Sequence, residues 1–394
     1  MKKRLFVLML CIVGALSSFC QNGQEECGLF PIKKDGKWGY MDKTGKVVVE
    51  PQFDCVDWTW NFSEGLAYVS IGGKWGYIDK RGKMVIEPQF DYAWNFSEGL
   101  ALIAIDGRYG YIDKRGKMVI ELQFDCVYGE VMTMWDVDYD VLSHFSEGLA
   151  RVSISDSING DVTVKYGYID KTGKMVIEPQ FDWVENFSKG LARVVVGGRF
   201  GYIDKKGQFV INPQFDYAED FSEGLACVGI GDKYGYIDKR GKMVIEPQFD
   251  RVDWRTWNFS EGLACVNIGD KWGYIDKRGK MVIEPQFDFA REFSEGLAVV
   301  GIGGKRGYID KRGKMVIEPQ FERAEPFFEG LAYVRIREKE GYIDKTRNII
   351  YKVGYIDRTG EMIYSWEEEE HEIVIDYDEL IEALEDLILE LGKE

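Results

Sequence analysis

The chain has 394 residues, of which 45% are hydrophobic and 14% aromatic, a composition that supports packed cores and excludes an intrinsically disordered protein. The formal net charge is −17, and much of it lies in one C-terminal segment, because residues 367–394 contain 13 acids and one base. The sequence has no basic stripe of the kind that phosphate backbones require, so we expect no nucleic-acid partner.

The N-terminus has the layout of an export signal. Residues 1–4 are basic and precede a run of twelve apolar residues, 5–16, which is too short to span a membrane and suits a signal peptide. We therefore predict a signal peptide at residues 1–20 and an exported protein. Lipid anchoring at Cys20 is the less favoured alternative, because Phe19 stands where that motif requires a small residue. No later segment has the ~18 apolar residues of a membrane-spanning helix.

A Gly-Tyr pair recurs along most of the chain with a base period of 34 residues. Its glycine stands at positions 39, 76, 110, 167, 201, 235, 273, 307, 341 and 354. Such periodicity is typical of repeat proteins, in which each unit packs on its neighbours. We predict nine to ten repeats over residues 28–364.

The pattern within one repeat predicts a three-stranded antiparallel meander. The strands are expected at residues 66–71, 75–79 and 84–87. Gly72 and Gly73 suit the two-residue turn between the first two strands. Asp79 can accept a backbone N–H two residues further on, and Gly82 can take the left-handed conformation of the second turn. Pro88 lacks an N–H donor and is expected to end the third strand.

One unit of this size buries too little surface to be stable alone, so the repeats must assemble. They form either an open twisted array or a closed β-propeller. Propeller blades usually have four strands in ~40 or more residues. We therefore predict an all-β repeat protein in which tandem three-stranded antiparallel meanders form an open twisted array, with the closed β-propeller as the alternative.

An insertion interrupts the period in the first half of the chain. The gap between Gly110 and Gly167 is 57 residues, which predicts extra residues at about 127–165. Part of the excess lengthens the hairpin at residues 152–166, where Asn159-Gly160 is a strong turn signal. A protruding arm of this kind is either a specialised binding element or tolerated surface decoration.

The C-terminal segment, residues 365–394, is predicted to be an acidic tail. The Glu367–Glu370 run is interpreted as a solvated linker. The apolar residues that follow stand at helical spacing and predict a short amphipathic α-helix: Leu380, Ile381, Leu384, Leu387, Ile388 and Leu391. We expect the helix to cap the open end of the array, with docking to another protein as the alternative.

The string KWGYIDKRGKMVIEPQF at residues 74–90 resembles the bacterial WG-repeat family, also called KWG repeats. The Trp-Gly pair stands at Trp38-Gly39, Trp75-Gly76 and Trp272-Gly273. Elsewhere the tryptophan is replaced by Tyr109, Tyr166, Phe200 and Tyr234, or the pattern is lost at Arg306, Glu340 and Val353. The resemblance covers about residues 28–364 and implies an all-β repeat fold. The family has no agreed catalytic activity, so it implies no site residues.

Little in the sequence points to catalysis or to a bound metal. The two histidines, His144 and His371, lie in the insertion and in the tail, and no Ser or Cys nucleophile has a recognisable base partner. The acids at residues 136–140 with Glu147 copy the spacing of a calcium-binding loop, but Val141 replaces the required glycine. We therefore predict a non-enzymatic protein without cofactor or metal.

Five cysteines remain outside the first twenty residues: Cys27, Cys55, Cys126, Cys227 and Cys265. They show neither a CxxC motif nor a histidine at metal-ligand spacing. Other repeats have unrelated side chains at the same positions, so we expect unpaired thiols. A disulfide framework is the alternative, since the predicted compartment is oxidising.

Seven tryptophans lie in the connections between repeats and are candidate ligand-binding residues: Trp58, Trp60, Trp94, Trp135, Trp183, Trp254 and Trp257. They either fill gaps between units or form platforms for a partner's apolar side chains or for sugar rings. The predicted function is a secreted non-enzymatic scaffold that binds a protein or an envelope component. The alternative is a glycan-binding module that uses these tryptophans.

Overall fold

The computed structural model describes residues 28–56, 62–125, 143–158, 161–250, 258–343 and 346–373. These residues form nine antiparallel sheets that follow one another in chain order, and each sheet is one blade of a β-propeller. No helix among the described residues is long and apolar enough to cross a membrane.

The first four blades contain fourteen strands. Blade 1 has β1 (Leu29–Lys34), β2 (Lys37–Asp42) and β3 (Val47–Phe53). Blade 2 has β4 (Cys55–Val56), β5 (Leu66–Ile71), β6 (Lys74–Asp79) and β7 (Met84–Phe90). Blade 3 has β8 (Tyr92–Ala93), β9 (Leu100–Ile105), β10 (Arg108–Asp113) and β11 (Met118–Asp125). Blade 4 has β12 (Leu149–Ile158), β13 (Asp161–Asp170) and β14 (Met175–Phe181).

The remaining five blades repeat this plan. Blade 5 has β15 (Trp183–Val184), β16 (Ala192–Val196), β17 (Arg199–Ile203) and β18 (Phe209–Phe215). Blade 6 has β19 (Tyr217–Ala218), β20 (Leu225–Ile230), β21 (Lys233–Asp238) and β22 (Met243–Asp250). Blade 7 has β23 (Leu263–Ile268), β24 (Lys271–Asp276) and β25 (Met281–Phe287). Blade 8 has β26 (Phe289–Ser294), β27 (Leu297–Ile302), β28 (Lys305–Asp310) and β29 (Met315–Phe321). Blade 9 has β30 (Arg323–Ala324), β31 (Ala332–Ile343), β32 (Thr346–Ile356) and β33 (Met362–Ile373).

The ring of blades is closed by contacts between blade 9 and blade 1. The Tyr355 hydroxyl donates a hydrogen bond to the Pro31 carbonyl oxygen at 3.0 Å, and the Tyr355 ring lies edge-on to Phe30 with centroids 5.4 Å apart. Trp38 and Trp366 make a second edge-on contact, at 6.2 Å. The predicted open array is therefore wrong, and the alternative, a closed β-propeller, is confirmed.

The sequence favours the open array because only three strands are recognisable in each repeat. In six of the nine described sheets a fourth strand is present, but it is only two residues long in five of them. In blade 3 it consists of Tyr92 and Ala93, which pair with Ala104 and Ile103. Two residues show no alternation, so the sequence pattern places this strand within a connecting loop.

A β-bulge explains the glycine of the Trp-Gly pair. Trp75 pairs with Phe90 and Tyr77 pairs with Ile86, so Gly76 alone faces the three residues between Ile86 and Phe90. A Cβ atom on Gly76 would lie 2.5 Å from the Ile86 carbonyl oxygen and 2.7 Å from the Pro88 nitrogen. Pro88 does not end the third strand as predicted, because a bulge residue needs no N–H donor for the ladder.

The second turn of the repeat has the predicted chemistry. The Asp79 side-chain oxygen Oδ1 accepts hydrogen bonds from the backbone N–H groups of Arg81 and Lys83, both at 2.9 Å. Gly82 has a φ of 76°, the left-handed conformation that the bulged turn needs. The Asp of each repeat is therefore a structural residue.

Neighbouring blades are joined by hydrogen bonds that recur around the ring. The Tyr77 hydroxyl donates to the Trp94 carbonyl oxygen of the next blade at 2.8 Å, and Ser63 Oγ donates to the Phe96 carbonyl oxygen at 2.5 Å. The same serine-to-phenylalanine bond is made by Ser97, Ser146, Ser222, Ser260 and Ser294. Equivalent positions of adjacent blades can meet in this way only where the blades converge. The Phe-Ser-Glu-Gly segments therefore form the inner circumference of the ring, which we call the hub.

Two blades are extended beyond the repeat. In blade 4, β12 and β13 pair from Leu149↔Asp170 out to Ile158↔Asp161, which confirms the lengthened hairpin; its Asn159-Gly160 turn lies outside the described residues. In blade 9, Gly341 and Tyr342 belong to the extension of β31, and Gly354-Tyr355 serves as the ninth repeat's pair.

The predicted acidic tail begins inside the fold. Residues 365–373 belong to β33, where Trp366 pairs with Val353 and Glu370 pairs with Ile349. The Glu367–Glu370 run is thus part of a strand and not a solvated linker. The predicted amphipathic helix at residues 380–391 lies outside the described residues.

Candidate functional site

A set of polar side chains lies at the hub, each one residue before the phenylalanine of the Phe-Ser-Glu-Gly segment. The described members are Asn95, His144, Asn186, Asp220, Asn258 and Glu292. The phenylalanines are buried in the core, and successive residues of an extended segment point in opposite directions. The polar set therefore points to the other side of the segment, at the inner end of the blades. Members from adjacent blades touch, since His144 Nε2 lies 3.2 Å from Asn186 Nδ2.

Blades 4 to 6 add a chain of charged residues to this part of the hub. Arg193 Nη2 lies 3.1 Å from Glu185 Oε1, its Nη1 lies 3.3 Å from Glu219 Oε2, and its Nε lies 3.9 Å from Asp220 Oδ1. Arg151 Nη1 approaches Glu185 Oε2 at 3.7 Å. We call Arg151, Glu185, Arg193, Glu219 and Asp220 the hub cluster.

The arginines of the hub cluster replace less polar residues of the repeat. At the strand position of Arg151 and Arg193, other blades have Tyr68, Leu102, Cys227, Cys265, Val299 and Tyr333. Two arginines in adjacent blades thus break the symmetry of an otherwise repetitive ring.

One carboxylate of the hub cluster, that of Asp220, stays partly exposed to solvent. Burial acts to lower the pKa of Arg193, but Glu219, Asp220 and Glu185 together raise it, so this guanidinium stays charged. Burial raises the pKa of Asp220 to about 6. The Asp220 side chain nevertheless keeps 40% of its exposure. Asp220 is therefore the group of the cluster most accessible to a ligand.

Aromatic rings pack against the hub cluster. The Arg151 guanidinium lies 5.0 Å from the Trp183 ring centroid, and Tyr166 meets Trp183 edge-on at 5.0 Å. Trp183 Nε1 donates to Glu185 Oε1 at 3.2 Å. Cation–π and edge-on contacts of this kind fix the arginine in place.

His144 gives the hub a measurable dependence on pH. Burial, with a smaller contribution from Arg151, lowers the pKa of His144 from 6.5 to about 4, although Glu98 and Glu185 oppose the shift. Because the folded state holds the imidazole neutral, its contribution to stability is complete above pH 6.5 and is lost as the pH falls toward 4.

The variant His144→Gln is neutral at every pH and is expected to escape this loss. The free energy of unfolding of His144→Gln minus that of wild type should increase by up to about 3 kcal/mol between pH 7 and pH 4. Urea denaturation at several pH values measures this difference. A difference that does not change with pH would contradict the buried neutral imidazole.

The structure describes two of the seven predicted tryptophans. Trp183 lies beside the hub cluster. Trp94 is half-buried in blade 3, where it packs against Tyr92 and Tyr109 at 6.3 and 5.9 Å. The other five lie outside the described residues: Trp58, Trp60, Trp135, Trp254 and Trp257. The two described tryptophans belong to different blades and do not form one platform.

Sequence reasoning missed the charged residues of the site. The sequence analysis selected neither Arg151 nor Arg193. The available signal was that Arg151 and Arg193 occupy the same strand position in adjacent repeats, where the other repeats have apolar or uncharged residues. Glu185 and Glu219 likewise occupy equivalent positions in adjacent repeats.

The cysteines and the acidic residues of the described part supply no further chemistry. Cys55, Cys227 and Cys265 are thiols and not halves of disulfides, and burial raises the pKa of Cys227 well above its usual value, so this thiol is protonated. In the described ranges no three His, Cys, Asp or Glu side chains are grouped closely enough to hold a metal ion. Residues 136–140 lie outside those ranges.

A family model described as "WG containing repeat" matches residues 38–75, 75–109, 109–129, 166–200, 200–234, 234–272, 272–305 and 307–339. The chain belongs to the WG-repeat family. The matched segments run from one Trp-Gly position to the next, so each WG repeat contributes the outer strands of one blade and the inner strands of the following blade. Each repeat therefore spans two neighbouring blades.

The solved structures with a similar arrangement of strands are only distantly alike. The WG-repeat chain aligns with Hsv2 of Kluyveromyces lactis with loop 6CD replaced by a Gly-Ser linker at a TM-score of 0.37 and 11% identity, over 79% of this chain and 96% of that chain. It aligns with the V. cholerae biofilm matrix protein Bap1 at a TM-score of 0.29 and 9% identity, over 87% of this chain and 80% of that chain. No curated protein sequence matches it. We base no inference on likenesses this distant.

Proposed function

We propose that this protein is an exported, non-enzymatic scaffold that binds a protein or an envelope component at the hub cluster. The observation that supports this most strongly is the charged chain Arg151–Glu185–Arg193–Glu219 across blades 4 to 6. The other described blades have no arginine at the strand position of Arg151 and Arg193, so the repeat fold forms without these two charges. Repeat proteins place binding residues at such departures from the repeat.

The chemistry of the hub cluster favours binding over catalysis. Arginines hold the carboxylates of Glu185 and Glu219 in ion pairs. Burial acts to raise the pKa of Glu185, but Arg193 and Arg151 lower it below its usual value, so this carboxylate is poorly suited to proton transfer. The tyrosine and aspartate of each repeat already have structural hydrogen bonds, as Tyr77 and Asp79 illustrate. A binding role requires only the complementary charges and the exposed Asp220.

A protein partner is favoured over a glycan. Sugar rings stack on open aromatic faces, whereas the Arg151 guanidinium covers a face of Trp183 at 5.0 Å. Arginine and tryptophan in contact are frequent anchors of protein interfaces. Glycan binding remains the second candidate because the ring series Phe200, Tyr217 and Tyr234 continues the aromatic surface at centroid distances of 5.8 and 5.6 Å.

Export is part of the proposal and depends on the sequence alone. The basic start and the apolar run at residues 5–16 support cleavage near residue 20, with lipid anchoring at Cys20 as the alternative. Mass spectrometry of the mature N-terminus distinguishes a free chain from a lipid-modified Cys20.

The binding proposal is tested with immobilised wild-type protein and the variant Arg193→Met, which keeps the side-chain volume and removes the charge. Both are exposed to a solubilised envelope fraction and to a glycan array. Loss of one interface anchor typically costs about 2 kcal/mol, so we expect Arg193→Met to retain the ligand roughly 30-fold more weakly.

The matched control is Arg291→Met. Arg291 pairs with Glu325, so this variant removes a similar ion pair from blades 8 and 9 and should bind like wild type. Equal retention by Arg193→Met and wild type, or no specific retention by wild type on either material, would exclude the hub cluster as the binding site.

A further inference from the structure

The glutamate of the Phe-Ser-Glu-Gly segment clamps each blade to the next. Glu64 Oε2 of blade 2 accepts a hydrogen bond from the backbone N–H of Gly99 in blade 3 at 3.0 Å. The same oxygen pairs with Lys114 Nζ, also of blade 3, at 3.1 Å. Five further junctions have a carboxylate in the same place: Glu98, Glu147, Glu223, Glu261 and Glu295. Each of the five also faces a cation of the following blade: Lys171, Lys205, Lys277, Lys311 and Arg358.

The junction between blades 5 and 6 lacks this carboxylate, because Lys189 replaces the glutamate. The backbone is unchanged: the φ of Lys189 is 54°, compared with 52° at Glu64 and 50° at Glu223. The groups that would receive the carboxylate are also present. In blade 6, Gly224 stands at the position of Gly99 and Lys239 at the position of Lys114. Lys239 Nζ donates a hydrogen bond to the Lys189 carbonyl oxygen at 2.8 Å. We call Lys189, Gly224 and Lys239 the open junction.

The open junction has donors without acceptors. In the part of the chain that the structure describes, the N–H of Gly224 makes no hydrogen bond, and neither Lys189 nor Lys239 pairs with a carboxylate. Gly224 is solvent-exposed, whereas Gly99 is half-buried beneath the side chain of Glu64. The receptor half of a carboxylate clamp is therefore open to solvent.

The charges around the open junction favour an anion. Burial lowers the pKa of Lys189, and the neighbouring Lys239 and Lys277 lower it further, while Glu223 and Asp220 act in the opposite direction. Lys277 is paired with Glu223 at 2.9 Å. Arg193 lies within 3.9 Å of Asp220. Two lysines that form no ion pair with a carboxylate in the described part of the chain, Lys189 and Lys239, thus lie at the junction that holds the N–H of Gly224.

We propose that the open junction binds a carboxylate group of an external ligand, in the place that a glutamate carboxylate occupies at six other junctions of the same ring. The bound group accepts the N–H of Gly224 and pairs with the ammonium groups of Lys239 and Lys189. Hydrogen bonds that involve charged groups at both ends are among the stronger ones in proteins. The site uses none of the hub-cluster residues and stands independently of the function proposed above.

The test uses the full chain labelled with ¹⁵N-glycine and titrated with sodium acetate against sodium chloride at constant ionic strength. In wild type we expect the amide resonance of Gly224 to move with acetate and to saturate at millimolar concentration. In Lys189→Glu the built-in carboxylate fills the site. That resonance should therefore be displaced before acetate is added, and it should no longer respond.

Two further variants give matched controls. Lys206→Glu makes the same charge change at an exposed turn in the same blade and should respond to acetate like wild type. Glu261→Lys removes the carboxylate that holds Gly296 and should create a second acetate-sensitive glycine. An unchanged acetate response in Lys189→Glu, or no saturable glycine shift in wild type, would overturn the proposal.

The source of the natural carboxylate follows from a second titration on wild type. A triglutamate peptide and galacturonate are compared through the same Gly224 resonance. Tighter binding of the peptide identifies an acidic protein segment as the ligand, and tighter binding of the sugar identifies a uronate. If both bind in Lys189→Glu as they do in wild type, the site is elsewhere and the proposal fails.

Discussion

Replacing Gly76 by alanine is expected to lower the free energy of unfolding by about 3 kcal/mol or more. The new methyl group would lie 2.5 Å from the Ile86 carbonyl oxygen and 2.7 Å from the Pro88 nitrogen, both of which are backbone atoms that no side-chain rotation can move. The bulge would have to open, and the pairing of Trp75 with Phe90 would be lost. Guanidinium denaturation followed by tryptophan fluorescence measures the change.

The control for this prediction is Gly72→Asn in the neighbouring hairpin turn. Gly72 has a φ of 61°, and a Cβ atom added to it would have no heavy atom within 4 Å. Asparagine also tolerates the left-handed conformation. We expect a change of less than about 1 kcal/mol. Equal costs for Gly76→Ala and Gly72→Asn would show that close approach at the bulge does not explain the Trp-Gly motif.

Replacing Phe30 by alanine is expected to lower the free energy of unfolding by about 3–5 kcal/mol. Phe30 is 1% exposed and packs against Phe328 and Tyr355 of blade 9 with centroid distances of 6.5 and 5.4 Å. The substitution therefore leaves a cavity at the contact that closes the ring. In an open array the first unit would expose this ring, and the same change would cost little.

Phe209→Ala is the matched control for the closure contact. Phe209 is 44% exposed on the outer strand of blade 5, so its removal should cost less than about 1 kcal/mol. The comparison is made by chemical denaturation under identical conditions. If Phe30→Ala is no more destabilising than Phe209→Ala, then blades 1 and 9 do not pack as described.

The local structure of a repeat could be predicted from the sequence because its signals are local. Alternation over residues 66–71 predicted β5, and the turn residues Asp79 and Gly82 have the expected geometry. The third strand was placed correctly at its start but not at its end, because Pro88 lies in a bulge whose existence depends on the partner strand.

Ring closure could not be predicted because it depends on contacts between residues far apart in the chain. The hydrogen bond from Tyr355 to Pro31 spans 324 positions, and no periodicity within one repeat encodes how many blades complete a circle. The two-residue inner strand, such as Tyr92–Ala93, was also too short for any pattern to indicate it. Closure follows from the angle between blades, which the packing of whole sheets determines.

The candidate site was predictable only in part. Trp183 was selected for its residue type and lies beside the hub cluster, but the pairing of Arg193 with Glu185 and Glu219 requires the fold. The lysine at position 189 was visible as a departure from Phe-Ser-Glu-Gly. That this lysine replaces a carboxylate which joins two blades can be seen only from the structure, where the glutamate of six other junctions accepts a backbone N–H of the next blade.

The closed ring of nine blades is tested most directly by the distance between its two ends. Lys34 of blade 1 and Glu367 of blade 9 line one groove of about 400 Å³, so they lie on neighbouring parts of the ring. Spin labels introduced at these two exposed positions through genetically encoded residues leave the native thiols untouched, and pulsed electron paramagnetic resonance measures their separation. A single short distance is the result that a closed propeller predicts. A separation of roughly 80 Å, as expected for nine sheets stacked ~10 Å apart in an open array, would contradict it.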